Sequence, residues 1–314
     1  MTAATITGLL LPLALAFIML YLGLTLQLAD FRAVLQRPRA LAVGVVGQML
    51  LLPLLGWAVA RLAGLDPVMA VGLMVLAACP GGVSSGLLTH LAAGDVALSI
   101  ALTGLTSIAA MLSLPLVVDA SLQHFLGAGL QIELPLGRMI RSVFVLTTLP
   151  VLLGMALRAW RPVLVTRIEP VAGRIATTLF LAIVVATFVS QRQVLADHLG
   201  DVGGAALALN AAVLASAWLL GRQAGLTRRD RIAVATECGL QNSALGIYVC
   251  VELLRQPAMS VPSVVYALLM NAGAIAFVLL MRRRSSAAPG AGPGPDRLGQ
   301  GILRDAGADQ EVIG

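Results

Sequence analysis

The chain has 314 residues, 59% of them hydrophobic and 11% charged, with a mean hydropathy of +0.93. Soluble domains carry about 25% charged residues, so that class is excluded, and apolar runs of spanning length from end to end indicate a polytopic α-helical membrane protein. The net charge of +6 comes from arginine with no lysine; it reads as membrane topology, and no basic patch interleaved with aromatics points to nucleic acid.

The amino-terminal stretch MTAATITGLLLPLALAFIMLYLGLTLQ has no positive n-region, and its apolar part is longer than a signal peptide needs. It reads as a retained first span over about 5–28, followed by a second over 39–62. The third is broken, about 67–78 and 84–93, and the fourth covers 95–118. The fifth, sixth and seventh are expected over 138–158, 170–191 and 202–221. The eighth is broken again, about 228–237 and 241–254, and the ninth covers 259–281. These lengths approach the roughly 20 residues a bilayer requires, so residues 1–283 are expected to form a transmembrane domain of about nine spans. Residues 284–314, rich in Pro, Gly and Ala, cannot build a core and are expected to be a disordered cytoplasmic tail.

The arginines test this count. With the amino end outside, 16 fall on inner loops, inner helix ends and the tail, including Arg32, Arg37, Arg158, Arg228 and Arg282. The 5 on the outer side are Arg61, Arg138, Arg141, Arg192 and Arg255. The bias predicts a multi-pass inner-membrane or plasma-membrane protein with an outside amino end and a cytoplasmic carboxyl end.

The two breaks share a pattern. AACPGGVSSGLLTHL (77–91) and TECGLQNSALGIYV (236–249) each place a Cys before a Gly-containing turn, then Ser and small residues, then an apolar half-helix, about 160 residues apart. Pro80 removes a donor and disfavours helix at Cys79, while Gly81 and Gly82 release the backbone. Irregular backbone at membrane depth is tolerated only where it lines a cavity or is buried in protein. Paired interruptions in corresponding positions mark the binding site of a secondary transporter built from inverted repeats.

Glu237 is the one acid of 15 that falls well inside a predicted span. A carboxylate at the bilayer centre costs about 2.5–3.5 kcal/mol on insertion scales, and no arginine lies in a span interior to offset it. It is therefore protonated, bonded to a neighbouring helix or relaying protons, or it binds a cation. Gln241, Asn242 and carbonyls freed near Gly239 favour a cation. Divalent ions gather several carboxylates; one carboxylate with neutral oxygens suits sodium. Gln48, Ser84, Ser85, Ser99 and Thr103 offer such oxygens, with Ser99 and Thr103 on one helix face, although membrane Ser and Thr often bond back to their own helix. The half-helix N-termini, with Asn242 and Asn271, could hold an anionic substrate. Cys79, Cys238 and Cys250 lie in apolar surroundings without metal-ligand spacing and read as small buried side chains. His90, His124 and His198 are scattered, and no Ser–His–Asp order, HExxH or P-loop points to an enzyme.

The segments CPGGVSSGLLTHLAAGDVALSIALTGLTS (79–107), ECGLQNSALG (237–246) and LGLTLQLADF (22–31) resemble the two crossovers and an early loop of the bile acid:sodium symporter family, over about residues 10–281. The resemblance implies an all-α inverted-repeat secondary transporter in nine-span form, with a panel domain and a core domain in which two broken helices cross. It also implies one sodium site at Ser85, Ser99, Thr103 and Glu237. A second would use Gln48, the Glu237 and Gln241 side chains, and the carbonyls of Cys238 and Leu240. Substrate would lie by the crossover, at Asn242, Asn271, Ser243 and Pro80. Gly86 departs from the family pattern, which has Asn there, and this predicts a weaker first site and one sodium rather than two unless Ser84 compensates.

The resulting expectation is a membrane transporter that carries a small organic anion (a bile acid, a steroid conjugate or another carboxylate) inward with one or two sodium ions. Two rivals stay open: a proton-coupled or uncoupled carrier in which Glu237 titrates, and a channel or sensor with the same fold. A repeated ring-forming filter or a soluble output domain would favour the second, and the sequence has neither.

Overall fold

The computed structural model describes residues 3–27, 29, 34–82, 84–127 and 136–286, with side chains described only between residues 10 and 282. Arg32, Arg297 and Arg304 lie outside the described residues, as do the side chains of Arg283 and Arg284 and the expected tail from residue 287 on. In chain order the helices are α1 (Ala3–Thr25), α2 (Pro38–Leu62), α3 (Pro67–Ala77), α4 (Ser85–Leu91), α5 (Val96–Leu126) and α6 (Leu136–Trp160). They continue with α7 (Pro162–Ser190), α8 (Arg192–Gln223), α9 (Arg228–Gly239), α10 (Ser243–Leu253) and, after the tight turn Pro257–Ser260, α11 (Val261–Ser286). Six apolar segments among the described residues are long enough to cross a membrane, and no strand is formed. The fold is that of an all-α polytopic membrane protein.

The helix starts follow local chemistry. Proline opens α2, α3 and α7, where its missing N–H costs nothing. Asp66, Asp95 and Asn242 cap α3, α5 and α10 by accepting from the N–H groups of Val68, Leu98 and Leu245. The helices α5, α7 and α8 exceed their expected spans, ending at Leu126 and beginning at Pro162 and Arg192. Exposed polar residues such as Gln123, Arg167 and Asp201 decorate the extra turns, so these continue past the apolar stretch that marks a span. In α2 and α6 the helix widens into a π turn just before Pro53 and Pro150, each of which lacks the N–H that the preceding turn would use.

The panel is α1 packed on α6 and α7. A Cβ built on Gly23 would lie 2.2 Å from the Val151 carbonyl oxygen, and one on Gly154 would lie 2.4 Å from that of Leu20. The two backbones touch because neither glycine carries a side chain, a device of membrane helices that lack a hydrophobic drive to associate. The core is built around α3 and α9. Residues 69–82 and 232–250 are all buried. At one end, Arg37 pairs with Asp95 at 2.6 Å and with Asp230 at 3.3 Å. Arg228 donates to the Met281 carbonyl and Arg282 to that of Leu91. These arginines were all expected on one side of the membrane.

Candidate ion and substrate site

The site begins with backbone that helices cannot satisfy. After α3, Pro80 and Gly81 leave the helix; after α9, Leu240 is extended at φ −116° and ψ 109°. Buried N–H and C=O groups must find partners, all the more at membrane depth. Each break supplies them to the other: Gly82 N–H donates to the Leu240 carbonyl at 2.6 Å, and Asn242 N–H donates to that of Pro80 at 2.9 Å. The two form a single antiparallel bridge between Gly81 and Gln241, and this is where the broken helices cross. A Cβ on Gly82 would lie 3.0 Å from the Gln241 carbonyl oxygen, so a larger residue would press the strands apart.

Glu237, fully buried, stands in the last turn of α9 beside this bridge. Its Oε2 accepts from the Ser99 hydroxyl at 3.1 Å. The Ser85 hydroxyl lies 3.3 Å from both Ser99 and Thr103, and Thr103 donates to the Ser99 carbonyl at 3.0 Å. The four residues therefore form one cluster of hydroxyl oxygens around a carboxylate, drawn from α4, α5 and α9. The other oxygen, Oε1, is buried without a hydrogen-bond partner among the described residues and lies against Gly81. Glu237 makes no salt bridge among the described residues.

A second set of oxygens faces the same bridge. Gln48, in the π turn of α2, donates through Nε2 to the Cys79 carbonyl at 2.9 Å and to Gln241 Oε1 at 2.8 Å. Its own Oε1 is buried without a hydrogen-bond partner among the described residues. Gln241 donates to the Cys238 carbonyl at 2.7 Å. Gly47 brings α2 this close, since a Cβ there would lie 2.9 Å from Cys238 Sγ. Among the described residues no three His, Cys, Asp or Glu side chains gather, so the donor set is one carboxylate, neutral side-chain oxygens and carbonyls. That set suits a hard monovalent cation more than a divalent one.

Gly86 is flanked by Ile100, whose Cγ1 would lie 3.2 Å from an added Cβ, so a hydrocarbon stands where a longer residue would extend. Ser84 lines the neighbouring cavity, whereas Ser85 sits in the hydroxyl cluster. That cavity, about 400 Å³, lies between the panel and the crossing and is bordered by Tyr21, Gly82, Gln241, Asn242, Ser243 and Asn271. Asn242 is partly engaged, accepting from Leu245 N–H and reaching Met19 Sδ of the panel at 3.5 Å. Ser243 Oγ is buried without a hydrogen-bond partner among the described residues. Pro80 does not border the cavity and is buried behind it, its carbonyl taken by Asn242. A wider groove of about 590 Å³ shares Tyr21 and Thr177 with the cavity and continues past Glu169 and Arg174.

Two residues escaped sequence reading. Asn210 of α8 and Tyr266 of α11 both donate to the Gly239 carbonyl, each at 2.9 Å. No local motif marks either of them, and the 160-residue offset between the breaks pairs them only with Leu50 and Thr106.

Comparison with known proteins gives the family. The model of the sodium bile acid symporter family matches residues 12–198. The "Probable sodium/metabolite cotransporter BASS2, chloroplastic" of Oryza sativa subsp. japonica is 30% identical over 273 residues, covering 86% of this chain and 63% of its own length. The chain thus spans less than two thirds of that relative. The "Uncharacterized sodium-dependent transporter YocS" of Bacillus subtilis (strain 168) is 26% identical over 257 residues, 82% of this chain and 78% of its own. The human "Ileal sodium/bile acid cotransporter" is 27% identical over 238 residues, 75% of this chain and 67% of its own. With two broken helices bridged around a buried carboxylate and a family match across more than half its residues, the chain belongs to the sodium bile acid symporter family.

Proposed function

We propose that the protein is a sodium-coupled symporter of a small organic anion, and that Glu237 is the charge sodium neutralises. The carrying observation is the Glu237 carboxylate itself: fully buried, free of any salt bridge among the described residues, one oxygen on the hydroxyl cluster and the other unpartnered beside Gly81. A buried charge in this state needs a counter-ion. Ser85, Ser99 and Thr103 would complete one site; Gln48, Gln241 and the carbonyls of Cys238 and Leu240 would complete the other. In this reading the chain crosses the membrane nine times, amino end outside, and its tail is cytoplasmic. Sodium stabilises the crossing, and the substrate binds in the adjoining cavity at Asn242, Ser243 and Asn271. The core then moves against the panel, and cargo leaves past Arg174 into a low-sodium cytoplasm.

Thermal melting of purified protein in sodium chloride and in potassium chloride at equal ionic strength tests this. A ligand specific for the folded state stabilises it by RT ln(1 + [L]/Kd), roughly 1.6 kcal/mol for 150 mM sodium at a Kd of about 10 mM. A sodium-specific rise that disappears in Glu237→Gln supports the reading. Equal curves in both salts reject it, and uptake driven by a pH gradient then identifies Glu237 as a proton carrier.

A further inference from the structure

The bridge at the crossing relates the two repeats residue by residue. Its bonds run from Gly82 N–H to the Leu240 carbonyl and from Asn242 N–H to the Pro80 carbonyl, and adding 160 to 82 and 80 exchanges the two. The same offset carries Cys79 to Gly239, Gly86 to Gly246 and Thr103 to Ser263. Two carboxamides play matching parts two residues off this register. Gln48, 31 residues before Cys79, donates to the Cys79 carbonyl; Asn210, 29 residues before Gly239, donates to the Gly239 carbonyl. Each side chain comes from the helix preceding a broken pair and holds the carbonyl that the break has freed. The symmetry ends at the charge, since the counterpart of Glu237 is Ala77.

The second carbonyl is held more completely than the first. Asn210 Nδ2 and Tyr266 OH both donate to it at 2.9 Å, and they lie 3.1 Å from one another. A carbonyl has two lone pairs, so both are taken. Gly239 packs closely on α8, since a Cβ there would lie 2.6 Å from Leu214 Cδ2. Fixing this peptide fixes the two around it. The Cys238 carbonyl is left to accept from Gln241 Nε2, and the Leu240 carbonyl to accept from Gly82 N–H, both on the opposite side toward the first break. Glu237 is two residues away on the same turn.

We infer that Asn210 and Tyr266 are positioning residues for the ion site: they anchor the end of α9 so that the Cys238 and Leu240 carbonyls and the Glu237 carboxylate are presented to sodium in advance. This rests on the sodium reading above. Neither side chain lines the cavity, so both act through the backbone.

The test is a sodium titration of melting temperature in the purified full chain at constant ionic strength, fitted for the sodium Kd. Tyr266→Phe removes one hydroxyl and keeps the ring; Asn210→Ala removes the amide. Each raises the sodium Kd about threefold to tenfold, the range expected for losing an ordinary hydrogen bond. Ser263→Ala, on the same helix as Tyr266 with a hydroxyl that has no partner among the described residues, leaves the Kd unchanged. A fall in melting temperature in potassium alone, with the sodium Kd of both variants at the wild-type value, overturns the inference and leaves these residues a purely structural role. Should Asn210→Ala not fold, Tyr266→Phe decides. A wild-type protein without a sodium-specific rise instead rejects the ion reading itself, which separates the two failures.

Discussion

Glu237 Oε1 lies directly over the Cα of Gly81, where an added Cβ would stand 1.8 Å from it. A glycine in one repeat thus leaves room for the buried carboxylate of the crossing, which belongs to the other. Gly81→Ala is expected to push the carboxylate aside. The variant loses the sodium-specific rise in melting temperature, and overpacking costs it about 1–3 kcal/mol in potassium. A retained sodium response would show that Oε1 is not an ion ligand.

Gly86 bears on the number of ions. With Ile100 against it, no side-chain oxygen joins Ser85 from that position, and one tightly held sodium is expected. At high sodium the slope of stability against ln[Na⁺] counts bound ions, one RT for each. The wild type should give a slope near one RT. Gly86→Asn combined with Ile100→Ala supplies both an oxygen and space, and should move the slope toward two.

The Arg37 clamp predicts a pH dependence. Burial raises the pKa of Asp95, but the Leu98 N–H bond and the Arg37 guanidinium outweigh it and hold the carboxyl below its ordinary value. A depressed folded pKa contributes stability above the unfolded value of about 3.9, lost as pH falls through the folded one. Arg37→Ala should cost only about 0.2–1 kcal/mol at neutral pH, because its side chain is 51% exposed. That difference from wild type should shrink below about pH 4, as melting between pH 7 and pH 3 would reveal.

The panel has its own test. Gly154→Ala places a Cβ 2.4 Å from the Leu20 carbonyl oxygen and must separate α6 from α1. We expect a loss of about 1–3 kcal/mol, with the sodium Kd unchanged in the protein that folds, because the proposed ion ligands all lie in the core. A shifted Kd would mean that panel and ion site are coupled even at rest.

Much of the arrangement was legible in sequence because membranes penalise what is out of place. Pro80 and Gly81 in an apolar run, and Glu237 in another, have few bland explanations, and each lies at the crossing. Ser99 and Thr103 gained meaning from their shared helix face, and Ser85 from its place after the first break. Asn210 was invisible for the opposite reason. An asparagine in a long helix has many uses, and its partner carbonyl is 29 residues away. Tyr266 reads as one more aromatic in a membrane span until the fold brings it to Gly239. Hydropathy also underestimated α7 and α8, since it measures the thickness of a bilayer and not the length of a helix. The π turn that carries Gln48 is anticipated only by Pro53, which says that a helix adjusts without saying how.

The backbone bridge between the breaks has a consequence for biogenesis. Gly82 N–H and the Pro80 carbonyl cannot reach their partners until residues 240 and 242 have been made, about 160 residues later. At synthesis rates of about 5–20 residues per second this is a wait of roughly 8–32 s. During that time the first repeat sits at the translocon with an open helix break that nothing yet closes. Completion of the second repeat supplies both partners, so the newborn N-terminal half is the form in which these two backbone groups stand unpaired.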